Sequence, residues 1–149
     1  MLRSGLFVLY MAPLLSAPVI EPHDVIGTWV VDVPAFHEQV QSLLQEQVPA
    51  LPAEEQALTE QAIRGAAAAV VVAAGNASVE FRPDGVALFR TGDAVAEAVW
   101  GIDETLLRLV RRRPAPGDVP INGTLDQGLL YLEPDRAGAI VVPLPMRRR

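Results

Sequence analysis

The chain predicts an α+β fold: an antiparallel β meander of about eight strands with a two-helix insertion after the first strand, the sheet curling over the helices or closing into a small barrel. Three observations carry this. The apolar run Gly27-Thr28-Trp29-Val30-Val31-Asp32 favours an extended backbone and is closed by Asp32 and Pro34. Apolar residues then recur at helical spacing as far as Ala74. From Ser78 onward the period switches to two, in short runs punctuated by Pro, Gly and Asp.

The first strand is read over 25–32, where Gly27 leaves room for a large ring from a neighbouring element. Pro34 suits the first turn of a helix, and Phe36, Val40, Leu43 and Leu44 form its apolar stripe. Pro49 and Pro52 break the chain, and Ala53-Glu54-Glu55 opens a second helix with acids at its positive end. That helix continues through Leu58, Ala62, Val70 and Ala73, with Gly75-Asn76 as its stop. The uncharged run 66–74 is well short of the roughly 20 residues a bilayer span needs, so it is expected to pack closely on the sheet and no membrane span is expected in the mature chain.

Val79 and Phe81 lead into the turn Arg82-Pro83-Asp84-Gly85, and residues 86–90 return as the partner strand. Residues 96–102 and 105–112 pair around Asp103-Glu104, with Trp100 and Ile102 on one face and Glu97 and Val99 on the other. A loop with Pro114, Pro116, Gly117 and Pro120 follows. Residues 121–125 and 129–133 then flank Asp126-Gln127-Gly128. The last strand, 139–146, carries Pro143 and Pro145, which cannot donate to a ladder and so predict an edge or the end of pairing.

Composition narrows the class of partner. A formal charge of −6, from 18 acidic and 12 basic side chains, argues against nucleic acid, which draws on a net basic face. The arginine triplets 111–113 and 147–149 have no interleaved aromatics and read as a solvated strand end and a solvated tail. Without cysteine there is no disulfide and no thiolate site. Arg3 precedes the apolar run 6–15, which has the length of a secretory h-region. The expected organisation is therefore a leader over 1–20 and one domain over 21–149. The chain is expected to be exported, periplasmic or secreted, with the mature chain starting between Pro18 and Val25.

No catalytic, cofactor or metal motif is present. His23 and His37, with Asp24 and Glu38 beside them, can be written as a two-histidine metal site, but an extended strand between them holds them apart and exposed. The pairs Glu54-Glu55 and Asp103-Glu104 suit a helix N-terminus and a hairpin turn as well as a catalytic dyad. No serine sits in a Gly-x-Ser-x-Gly setting, and no glycine-rich loop is built for phosphate.

Gly27-Thr28-Trp29 at the head of a meander resembles the lipocalin-like group. Together with Phe81-Arg82-Pro83-Asp84-Gly85 and Trp100-Gly101-Ile102-Asp103, it is similar to small exported bacterial proteins of unknown function. The resemblance covers about 25–103 and implies a lipocalin-like barrel and an envelope location. The long helical insertion and the lack of cysteines depart from true lipocalins. The function expected is that of a non-enzymatic binding or interaction module, its partner an unidentified small apolar ligand or an envelope protein. The rivals are a small hydrolase or isomerase, and a structural or inhibitory protein docking through a sheet edge. Trp29 and Trp100 are both expected to be largely buried. With the helices on the concave face and side chains filling the interior, at most a small apolar cleft between helix and sheet is expected, near Trp29, Phe81 and Trp100.

Overall fold

The computed structural model describes residues 18–135 and 142–149. Residues 1–17 of the expected leader (1–20) and the start of the expected last strand (139–141) therefore lie outside the described residues. The elements run α1 (Pro22–Val25), β1 (Gly27–Val31), α2 (Val33–Glu46), a 3-10 turn (Val48–Ala50) and α3 (Ala53–Ala74). Seven strands follow: β2 (Ala77–Phe81), β3 (Val86–Thr91), β4 (Ala94–Asp103), β5 (Leu106–Arg111), β6 (Ile121–Asp126), β7 (Leu129–Pro134) and β8 (Leu144–Arg148). Each strand pairs antiparallel with the next, and β8 closes on β1 through Trp29 with Arg148 and Val31 with Met146. The meander is thus a closed eight-stranded barrel carrying a two-helix insertion after its first strand.

Closure rules out an edge and leaves the end of pairing as the place of these prolines. β8 is paired on both sides, with Pro143 just before it and Pro145 as its one proline. The N–H and C=O of one strand residue point the same way. The Pro145 carbonyl accepts from the Asp32 N–H at 2.9 Å, just beyond the last β1–β8 pair, so the missing donor falls where the ladder already ends. No described strand is left with a free edge on which another protein could add a strand.

Local chemistry accounts for the turns. In the β2–β3 hairpin the Arg82 N–H donates to Val86 O at 2.9 Å, the Asp84 carboxylate accepts from the Val86 N–H at 3.1 Å, and Gly85 takes φ +85°. Asp32 caps α2, its carboxylate accepting from the Ala35 N–H at 3.0 Å. α1 takes up Val25, the first residue of the expected strand.

Period-two alternation sends one side chain set inward, and the interior is filled. Trp29, Val79, Phe81, Ala87, Ala98, Leu107, Leu109, Leu130 and Met146 form the core. One barrel end is stoppered by the segment before β1. Val25 and Ile20 are buried, and the Ile20 N–H donates to Glu104 O in the β4–β5 turn at 2.9 Å. Core packing is tight at Gly123, where an added Cβ would lie 3.0 Å from one methyl each of Leu107 and Leu132. Gly123→Ala is therefore expected to destabilise by about 1–3 kcal/mol through overpacking, measured as a lower denaturant midpoint. An unchanged midpoint would mean that both leucines move aside freely.

The two-helix insertion departs from its expected placement. α2 buries Phe36, Val40 and Leu43 as its stripe predicts. α3 buries no residue, and Leu58 and Val72 are 71% and 82% exposed. A closed barrel has no open concave face to receive helices, and alanine side chains are too short to reach far into a neighbour. By length and composition α3, at 22 residues, is also long enough to cross a bilayer, because the turns before residue 66 add Ala57, Leu58, Ala62 and Ile63 to the apolar run.

Candidate apolar binding cleft

β1 runs toward α2, and β2 begins directly after α3, so the helical hairpin stands over one end of the barrel. A cleft of about 750 Å³ opens between them. One wall is a single face of α3: Leu58, Thr59, Ala62, Ile63, Ala66, Ala67 and Val70. These positions repeat every three or four residues, the spacing that puts side chains on one side of a helix. The other wall is the upper rim of the barrel, with Phe89 of β3, Ile121 of β6, Leu132 and Pro134 of β7 and Leu144 of β8; Phe36 of α2 closes one side. Thr59 and Glu133 are the polar residues among the described lining.

Glu133 also borders a second, smaller hollow of about 260 Å³ on the outer side of the barrel. Gln39, Asn122, Thr124, Asp126, Tyr131 and Pro143 complete it. The Asn122 Oδ1 is buried without a hydrogen-bond partner among the described residues. The Tyr131 hydroxyl is held protonated above its ordinary range, first by burial and then by the negative charge of Asp126, Asp32 and Glu38.

The aromatic trio expected around a cleft occupies other ground. Trp29 and Phe81 are 2% and 1% exposed in the core. Trp100 is only partly buried; its ring meets Phe81 edge-on at 5.8 Å, and its Nε1 donates to Arg82 O at 3.0 Å. None of the three lines the large cleft. Trp29 instead borders a hollow at the opposite end of the barrel, with His23, Asp24, Leu125 and Arg148.

Arg148 is the residue that sequence reasoning missed. Read as part of a solvated tail, it lies in β8, its guanidinium 5.0 Å from the centroid of the Trp29 ring. It donates to Ile26 O at 3.1 Å and to Asp24 O at 2.5 Å. Arg111 and Arg112, although exposed, are also engaged, with Asp118 at 3.3 Å and Glu97 at 2.9 Å. The Asp118 carboxyl is held below its usual range, chiefly by the Ala115 N–H and further by the positive charge of Arg111.

The two histidines are not brought together. His23 sits in α1 between the carboxylates of Glu21 and Asp24, each at 3.3 Å, while His37 is exposed on α2 beyond the far end of β1. No group of three or more His, Cys, Asp or Glu side chains that could hold a metal forms among the described residues. No family model, no curated protein and no solved structure matches the chain.

Proposed function

We propose that the protein is a non-enzymatic, exported binding module that holds one small apolar ligand in the cleft between α3 and the barrel end. The observation that carries this reading is the cleft itself: about 750 Å³, walled almost wholly by hydrocarbon, with Thr59 and Glu133 as the polar residues among its described lining. Small-molecule sites span about 300–1,000 Å³ and have this makeup, mostly apolar with a few placed polar groups. Storage inside the barrel has no room, because the core side chains fill it. The lipocalin-like resemblance and the secretory character of residues 6–15 agree with an exported carrier or sensor. α3 belongs to the barrel in this reading, as the movable wall of its site rather than as a bilayer span.

Displacement of Nile red and calorimetry with dodecanol test the proposal. Saturable one-to-one binding with Kd of about 1 μM or tighter, some −8 kcal/mol, is expected. Ala66→Trp, which adds a ring to the cleft wall from an exposed helix position, is expected to weaken binding at least about tenfold, or 1.4 kcal/mol. Val72→Trp adds the same ring on α3 at a position outside the cleft lining and should bind as the parent does. The absence of saturable binding, or equal affinity in the Ala66→Trp variant, would overturn the reading.

A further inference from the structure

Building on that cleft as a ligand site, we infer that its ligand is a single-chain amphiphile with a cationic, hydrogen-donating head such as a primary amine, the chain in the apolar cleft and the head in the adjoining hollow at Glu133. The two spaces share Glu133, which lines both. On one side of it stand hydrocarbon walls. On the other stand acceptors: the Asp126 carboxylate, the Thr124 and Tyr131 hydroxyls, and the Asn122 Oδ1, a buried acceptor with no partner among the described residues. Buried acceptors of this kind are satisfied when a donor arrives, and an ammonium brings three.

Charge points the same way. Neither set of described lining residues contains an Arg or His, while Glu133 and Asp126 contribute negative charge. The nearest basic residue on the cleft wall helix, Arg64, is bound to Glu60 at 2.9 Å. Burial keeps the proton on the Tyr131 hydroxyl, and the charges of Asp126, Asp32 and Glu38 add to it, in keeping with a negative field around the hollow. The whole chain carries −6. A carboxylate or phosphate head would meet repulsion and no donor-rich cation, whereas an ammonium head would meet two carboxylates and neutral acceptors.

Calorimetry at pH 7 and low salt with dodecylamine, dodecanol, dodecanoate and dodecyltrimethylammonium, each below its aggregation concentration, tests this on the full chain. The amine is expected to bind at least about fivefold tighter than the alcohol and more tightly still than dodecanoate, with the gap narrowing as salt rises. Dodecyltrimethylammonium, which has the charge without N–H donors, should fall between amine and alcohol. Glu133→Gln and Asp126→Asn, each at an exposed position, are expected to cut the amine-to-acid ratio at least about threefold, with circular dichroism verifying the fold. A flat series, a preference for dodecanoate, or an amine-to-acid ratio unmoved in both variants would overturn the inference while leaving the cleft a site. Failure of all four probes to bind would overturn the binding reading and the head-group inference together.

Discussion

Trp29→Ala is expected to lower the free energy of unfolding by about 3–5 kcal/mol, the range for truncating a large ring in a core. The ring is 2% exposed and sits in the centre of β1, between β2 and β8. It is also a tether. Its Nε1 donates to Val25 O at 2.7 Å, and Val25 is the fully buried residue of the α1 segment that stoppers one barrel end. Alanine therefore leaves a cavity, strips the Val25 carbonyl of its partner and loosens the stopper at once. For a domain of this size the melting temperature should fall by roughly 10–20 °C. Trp29→Phe keeps most of the volume and loses the N–H, so it should cost only about 1–2 kcal/mol. Equal melting of the alanine variant and the parent would mean that the ring carries no core load.

Arg148→Ala is expected to cost about 1–3 kcal/mol, although the side chain is solvent-accessible and lies one residue from the end of the chain given. Three contacts are lost: the cation over the Trp29 ring and the two charge-assisted hydrogen bonds to Ile26 O and Asp24 O. They join β8 to the connection before β1, where the barrel closes. A double-mutant cycle with Trp29→Ala should return a coupling of about 0.5–2 kcal/mol, because each residue holds the other's geometry. Arg147→Ala on the same strand, with no such contact among the described residues, should be within about 0.5 kcal/mol of the parent. A cost for Arg147→Ala equal to that for Arg148→Ala would reduce the effect to general tail charge.

Much of the fold was legible from residue order alone. The switch from helical to alternating period marks the passage from α3 to β2, and Arg82-Pro83-Asp84-Gly85 and Asp126-Gln127-Gly128 sit at the two hairpin turns that their chemistry demands. Of the α2 stripe, Phe36, Val40 and Leu43 are buried as their spacing requires and Leu44 is half-buried. Each of these signals is local, acting between residues two to four positions apart, and so can be read without a partner.

A cleft between helix and sheet was legible, but its lining was not, because it depends on contacts between distant parts of the chain. Period identifies an apolar face and says nothing of what covers it. The alternation in β1 marks Trp29 as inward, but its cover is Arg148 from the far end of the chain, bonded to Ile26 across 122 positions. Phe81 and Trp100 read as a possible cleft, yet their rings meet each other across the sheet. Leu58, Ala62 and Val70 of the expected α3 stripe do face the barrel rim, but closure of β8 on β1 leaves no open sheet on which that stripe could pack. Sequence by itself determined the order of elements, their turns and which side of each strand turns inward, since these follow from local sterics and hydrophobic period. Only the tertiary structure decided that the sheet closes, that α3 stands off its rim and which residues line the cleft between them, since each follows from strand pairing and packing geometry that no neighbouring residue encodes.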